Sequence, residues 1–267
     1  MQNYFNFSAL LFFVLCNAQS QAQVPKSANS VAAKTARIIL VGDSTMATRT
    51  GYGDAFCDLL KRDVRCINLA RGGRSSASYR AEGLWNDVES LLRDGSSYSD
   101  TYVLIQFGHN DQPGKPGRST DLAIEFPSNI ARYVQGVRQL GGIPVLVTPL
   151  SRRTFRDGQL RNDLTPWADA IRTVALATSA PLIALNEKSV AALSAMGRVE
   201  ADTLAEEPPN QGAPSRFDYT HLGAKGAALF AAIVATEVAA SIPALAEKFR
   251  AADTAPTTPP IHKPITN

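Results

Sequence analysis

Five short, largely apolar runs alternate along this chain with segments of helical spacing, and no other feature constrains its fold as much. The runs are Arg37 to Val41, Arg65 to Leu69, Tyr102 to Phe107, Pro144 to Thr148 and Pro181 to Ala184. Their apolar residues are continuous and often β-branched, the texture of strands buried on both faces. Between them, helical spacing covers Asp54 to Arg62, Leu84 to Arg93, Ile124 to Leu140, Trp167 to Thr178 and Glu187 to Met196, with a last helix from about Gly223 to Ser241. Strand and helix in alternation imply one parallel sheet covered by helices on both faces. With 267 residues, 45% of them hydrophobic, the chain can bury such a core.

The two ends read differently. Residues 1–22 carry no charged side chain, and Ser8 to Cys16 is SALLFFVLC, shorter than the roughly 20 residues that span a bilayer. Small-residue sites at Ala18 and Ala22 follow, so residues 1–22 are expected to be a signal peptide, although the segment lacks the usual early Lys or Arg. Residues 23–35 read as a linker, and residues 251–267, rich in proline, as a disordered tail. The mature chain would then be secreted or periplasmic, with no membrane attachment. In such a compartment Cys57 and Cys66 either form a disulfide or stay as buried thiols; the sequence leaves both open.

Charge and cysteine count exclude further classes. Against 24 Asp+Glu stand 27 Lys+Arg, a net charge of +3, too mild for a duplex nucleic-acid binder. No CxxC or Cys/His cluster offers a metal site, and neither Gly51-Tyr52-Gly53 nor Gly108 to Lys115 has the spacing of a nucleotide loop. No metal, cofactor or nucleic acid is therefore expected.

What remains is a set of polar clusters at the carboxyl ends of strands, where open α/β sheets place their sites. They are Gly42-Asp43-Ser44-Thr45, Arg71-Gly72-Gly73-Arg74 and Gly108-His109-Asn110-Asp111, joined by Asp218-Tyr219-Thr220-His221 before the last helix. Acyl transfer needs these parts: a serine with a base in reach, a carboxylate to orient the base, and donors for an oxyanion. Only three histidines are available. His262 lies in the proline-rich tail and His109 is better suited to packing or orienting its loop, which leaves His221 as base with Asp218 as partner. The amides of Ser44 and Gly73 and the side chain of Asn110 are the candidate oxyanion donors.

These blocks, in this order, resemble the four blocks of the SGNH (GDSL-type) hydrolases over about residues 38–240. GDSTMA, ARGGRSSASY, FGHND, TPLSRRTF and DYTHLGAKGA are most similar to the rhamnogalacturonan acetylesterases. The resemblance implies a flavodoxin-like three-layer α/β/α sandwich with a five-stranded parallel sheet over residues 36–250. It also implies Ser44 as nucleophile, Asp218 and His221 as its partners, and an oxyanion hole of Ser44, Gly73 and Asn110. The substrate would be acetylated pectic polysaccharide, acted on by a monomer. Arg74, Arg152 and Arg153, with Arg71, Lys115 and Arg118, stand on the same sheet edge as candidate binders of its carboxylates. Other readings are another SGNH activity (a xylan acetylesterase, thioesterase or lysophospholipase) and a non-catalytic carbohydrate-binding protein.

Overall fold

Burial along the central strands explains their composition: every residue of Arg37–Gly42 and of Thr101–Gln106 is shielded from solvent. The computed structural model describes residues 1–2, 34–206 and 218–250. In chain order the elements are β1 (Arg37–Gly42), α1 (Gly53–Asp58), β2 (Arg65–Asn68), α2 (Ser78–Ala81), α3 (Trp85–Arg93), β3 (Thr101–Gln106), α4 (Glu125–Gln139), β4 (Ile143–Val147), β5 (Phe155–Arg156), β6 (Gln159–Leu160), α5 (Thr165–Thr178), β7 (Leu182–Ile183), α6 (Leu185–Asp202), α7 (Ala224–Ser241) and α8 (Pro243–Ala246). Five strands form one parallel sheet in the order β2-β1-β3-β4-β7. That is the flavodoxin-like order, with the direction of winding reversing between β1 and β3.

Because successive strand side chains point to opposite faces, the sheet feeds two cores. Ile38, Leu40, Leu104, Val145 and Val147 pack with Phe56 of α1, Leu193 of α6, Phe230 and Val234 of α7 and Leu245 of α8. Ile39, Val41, Val103, Ile105 and Leu146 pack with Val88 of α3, Ile130 and Val134 of α4 and Ile171 of α5. The result is a three-layer α/β/α sandwich. Among the described residues α7 alone is long and apolar enough to cross a membrane, with mean hydropathy 1.4. Its buried residues Gly226, Phe230, Val234 and Val238 recur every four positions, a stripe that packs on the core.

Several expectations need adjustment. Helix α1 stops at Asp58 rather than Arg62, because Leu60 bridges to Phe249 and the Lys61 N–H goes to the Lys248 carbonyl. The helix expected to end at Met196 is followed, after a kink at the non-helical Gly197 (φ 72°), by a further helical stretch to Asp202, and both are counted in α6. The β5–β6 hairpin turns on Asp157 and Gly158 at φ 51° and 76°. Asp-Gly is a recognised signal for such a turn, but arms of two residues carry no periodicity. Cys57 and Cys66 are disulfide-bonded, Cα atoms 5.5 Å apart, tying α1 to β2. Closing so short a loop stabilises the fold by about 2–3 kcal/mol on the chain-entropy model. By contacts the chain divides into residues 1–32 and 33–267, and this fold is that of the second unit. The expected signal peptide (1–22), nearly all of the linker (23–35), His262 and the tail (251–267) lie outside the described residues.

Candidate active site

The site begins where β1 leaves the sheet. A Cβ on Gly42 would sit 2.7 Å from the Gln106 carbonyl oxygen, so glycine is required where β1 runs beside β3. Asp43, fully buried, then turns the chain: its Oδ1 accepts the Thr45 N–H at 2.9 Å and the Thr45 hydroxyl at 2.8 Å. Its carbonyl accepts the N–H groups of Met46 and Ala47. Ser44 is held on this turn. Beneath it, the Tyr52 hydroxyl donates to Gln106 Oε1 at 2.8 Å, and Gln106 Nε2 donates to Thr45 Oγ1 at 2.6 Å. All four side chains are buried, so an anchored polar chain runs from Tyr52, just before α1, through Gln106 of β3 to Asp43.

A second segment meets Ser44 from the C-terminal side. Asp218 Oδ1 accepts the N–H groups of Thr220 (2.8 Å) and His221 (2.9 Å), folding residues 218–221 into a tight turn. That turn brings Asp218 Oδ2 to 2.7 Å from His221 Nδ1, and His221 Nε2 lies 2.8 Å from Ser44 Oγ. Burial raises the Asp218 pKa, but the two N–H donors and the imidazole outweigh it and hold the carboxyl below its ordinary range. An ionised carboxylate only accepts, so the proton sits on Nδ1 and Nε2 is free to accept from Ser44. The turn is stitched on both sides. Arg153 donates its N–H to the Tyr219 carbonyl and its Nη2 to the carbonyls of Asp218 (2.6 Å) and His221 (2.7 Å). Opposite, the Leu222 N–H goes to the Thr50 carbonyl, and the Thr50 hydroxyl to the Ser44 carbonyl.

Gly72, Gly73 and Asn110 close the remaining side. A Cβ on Gly72 would lie 3.7 Å from that of Ser44, and Gly73 adopts φ 78°, where a side chain is strained. Asn110 Nδ2 donates to the Arg74 carbonyl at 3.1 Å, joining the two loops and leaving its second N–H available. Asp111 reinforces that joint by accepting from the Ser76 hydroxyl (2.6 Å), the Ser76 N–H and the Thr120 hydroxyl. Burial pushes the Asp111 carboxyl up to about 6 despite these donors. A serine against an oriented imidazole, with glycine and asparagine alongside, is equipped for acyl transfer.

The arginines behave unlike a free cationic rim. Arg153 is a correction: it is 1% exposed, and its Nη2 is directed at the two carbonyls behind the Asp218–His221 turn, so it does not face substrate. Arg152 lies 2.5 Å from Asp163, and Arg74 bonds Glu82 and the Gly72 carbonyl. Lys115 donates to the His109 carbonyl, and Arg118 to the Gly73 carbonyl.

Residues 40–229 match the model of the GDSL-like lipase/acylhydrolase family. The chain belongs to that family. This GDSL-type protein is thus a carboxylic ester hydrolase. Two Bacillus subtilis (strain 168) proteins are similar along most of their length. "Rhamnogalacturonan acetylesterase RhgT" is 33% identical over 76% of this chain and 89% of its own. "Probable rhamnogalacturonan acetylesterase YesY" is 31% identical over 74% and 90%. Among solved structures, Axe2, an acetylxylan esterase from Geobacillus stearothermophilus, superposes with TM-score 0.58 at 18% identity, covering 77% of this chain and 95% of that one. YXIM of Bacillus subtilis superposes with TM-score 0.63 at 22% identity, covering 77% and 56%. These structural likenesses speak to the fold.

Several groups of the hydrolase site escape sequence reasoning. Gln106 and Tyr52 join Thr45 in the chain under Ser44, yet in sequence Gln106 reads as an ordinary strand residue and Tyr52 as an ordinary loop residue. Arg153 looks like its neighbour Arg152, although adjacent side chains of an extended segment diverge, and that rule could have separated them.

Proposed function

We propose that this esterase is a secreted or periplasmic acetylesterase that removes O-acetyl groups from pectic polysaccharide. Ser44 Oγ attacks the acetyl carbon while His221 Nε2 takes its proton. The N–H groups of Ser44 and Gly73 and the Asn110 amide hold the resulting oxyanion. Collapse breaks the bond to the sugar oxygen, which leaves with the proton from His221. Water, deprotonated by His221, then attacks the acetyl-Ser44 ester, and acetate departs as Ser44 regains a proton. Asp218 fixes the imidazole tautomer and stabilises the imidazolium throughout.

The observation that carries this reading is the unbroken line from Asp218 through His221 to Ser44, at 2.7 and 2.8 Å. The acetyl and pectic part is supported by the relatives named above, and the polar, arginine-rich loops are poor partners for long acyl chains. The Cys57–Cys66 disulfide supports an oxidising compartment. All groups of the mechanism come from one chain, which supports a working monomer.

Acetate release from acetylated rhamnogalacturonan, homogalacturonan and xylan, beside p-nitrophenyl esters of rising acyl length, tests the proposal. Rhamnogalacturonan should be the fastest polymer and acetate the preferred acyl group. Faster release from xylan would make it a xylan acetylesterase, and preference for the longest acyl chain a lipid or thioester hydrolase. No turnover of any ester would leave a carbohydrate-binding protein.

A further inference from the structure

Beside Ser44, on the β2 side, lies a cleft of about 530 Å³ lined by Ala47, Thr48, Arg49, Asn68, Arg71 and Gly72, among others. Its volume falls in the range of small-ligand sites, about 300–1,000 Å³. Two contacts fix it next to the reacting atoms: Gly72 approaches the Ser44 side chain, and Thr50, also in its wall, holds the Ser44 carbonyl. We infer that this cleft is a subsite for the carboxylate of an acidic sugar, held by Arg49 and Arg71. The inference rests on the pectic reading above and assigns its anionic recognition to residues other than Arg74, Arg152 and Arg153.

The arginines around Ser44 differ in what they already hold. Arg74 and Arg152 are neutralised by Glu82 and Asp163, and Arg153 is buried on backbone carbonyls. Arg49 and Arg71 are both exposed, and among the described residues neither guanidinium has an ion pair or a hydrogen bond. The nearby Asp54 accepts from Asn68 (2.7 Å) and Thr48 (3.3 Å) through its Oδ1, and among the described residues it forms no ion pair with either arginine. Arg49 also sits at φ 70°, a left-handed conformation unfavourable for a side chain that size. The turn is fixed by the bonds from the Gly51 N–H to the Ala47 carbonyl and from the Tyr52 N–H to the Thr45 carbonyl. Strain held in this way at the wall of a site is a pointer to function. A guanidinium fork suits a carboxylate, and two such groups without an ion pair line this one cleft, where a neutral xylan chain would gain no charge-assisted contact.

Calorimetric titration of the full chain with unacetylated oligogalacturonate tests the subsite without using ester turnover. Wild type should bind, and Arg49→Gln and Arg71→Gln should each weaken binding about tenfold, as expected for loss of a charge-assisted contact. Arg71→Lys, which keeps charge but loses the fork, should fall between. The same oligosaccharide with its carboxyls reduced to alcohols should not bind, and raising salt from 0.05 to 0.5 M, a choice of conditions that shortens the Debye length to well under about 10 Å, should weaken the wild type most. Thermal melts of each variant establish that the fold is kept. Absence of binding by wild type, equal binding of the reduced oligosaccharide, or unchanged affinity in Arg49→Gln and Arg71→Gln would overturn the subsite. Acetate release from rhamnogalacturonan separates the two claims. Release with arginine-independent binding ends the subsite and leaves the acetylesterase reading. Arginine-dependent binding without release from any pectic polymer keeps the subsite and ends that reading.

Discussion

Among the described residues two aspartate–histidine pairs lie at this site, and they differ in almost every respect except composition. Asp218 and His221 are about one-third exposed, with Oδ2 and Nδ1 2.7 Å apart and Oδ1 satisfied by two backbone N–H groups. Asp43 and His109 are buried, with Oδ2 and Nδ1 3.3 Å apart but not aligned for a hydrogen bond. Burial raises the Asp43 pKa, yet the His109 ring and the bonds from Thr45 outweigh it and keep the carboxyl below its ordinary range. Only the first pair touches Ser44 Oγ. An acid beside an imidazole is therefore not enough for a general base. In the proposed mechanism, access to Ser44 makes one pair chemical, while the other stays enclosed between the β1 turn and the β3 loop.

The largest effects should separate the pairs. His221→Ala should lower kcat by about 10⁴–10⁶ with the fold intact, as loss of a base does in serine hydrolases. His109→Ala should instead leave Asp43 buried and unpaired, costing about 3–5 kcal/mol of stability, while the folded enzyme keeps most of its kcat. Thermal melts and kcat measured on the same samples test this. Equal loss of kcat in both would erase the distinction.

Asp218→Asn should cost about 10⁴ in kcat, because an amide favours the wrong tautomer of His221. Asn110→Ala should lower kcat by about 10²–10³ with little change in KM, if its amide meets charge formed only in the transition state. A fall in melting temperature with kcat preserved would make Asn110 a loop joint and no more.

The smallest effect is on stability and depends on pH. With Asp111 at about 6 in the folded chain against 3.8 for an ordinary aspartate, the folded state binds the extra proton between those values. Stability contributed by this group is therefore present at low pH and lost as pH rises through that window. From pH 4 to 7, wild type should lose on the order of 2–3 kcal/mol relative to Asp111→Asn. Parallel stability curves would contradict the buried-carboxyl assignment.

The sheet was legible because buried parallel strands need continuous apolar runs, and Ile38 to Val41 and Val103 to Ile105 supply them. The positions of Ser44, Asn110 and His221 were legible because strand ends and loops leave few places for polar clusters. Arg153 was not, because charge in a sequence does not tell which way a side chain faces. The Tyr52–Gln106–Thr45–Asp43 chain was hidden for a related reason: its members are separated by up to 63 positions and meet only through sheet pairing. Helix ends such as Asp58 depended on the distant partners Lys248 and Phe249, which no local spacing reveals.

In the proposed mechanism Ser44 is the nucleophile, activated by His221 and not by His109. Labelling with a fluorophosphonate, followed by peptide mass mapping, measures that directly. The adduct should fall on Ser44 in wild type and in folded His109→Ala, and labelling should be slowed by orders of magnitude in His221→Ala. An adduct on another residue, or wild-type labelling of Ser44 in His221→Ala, would contradict it.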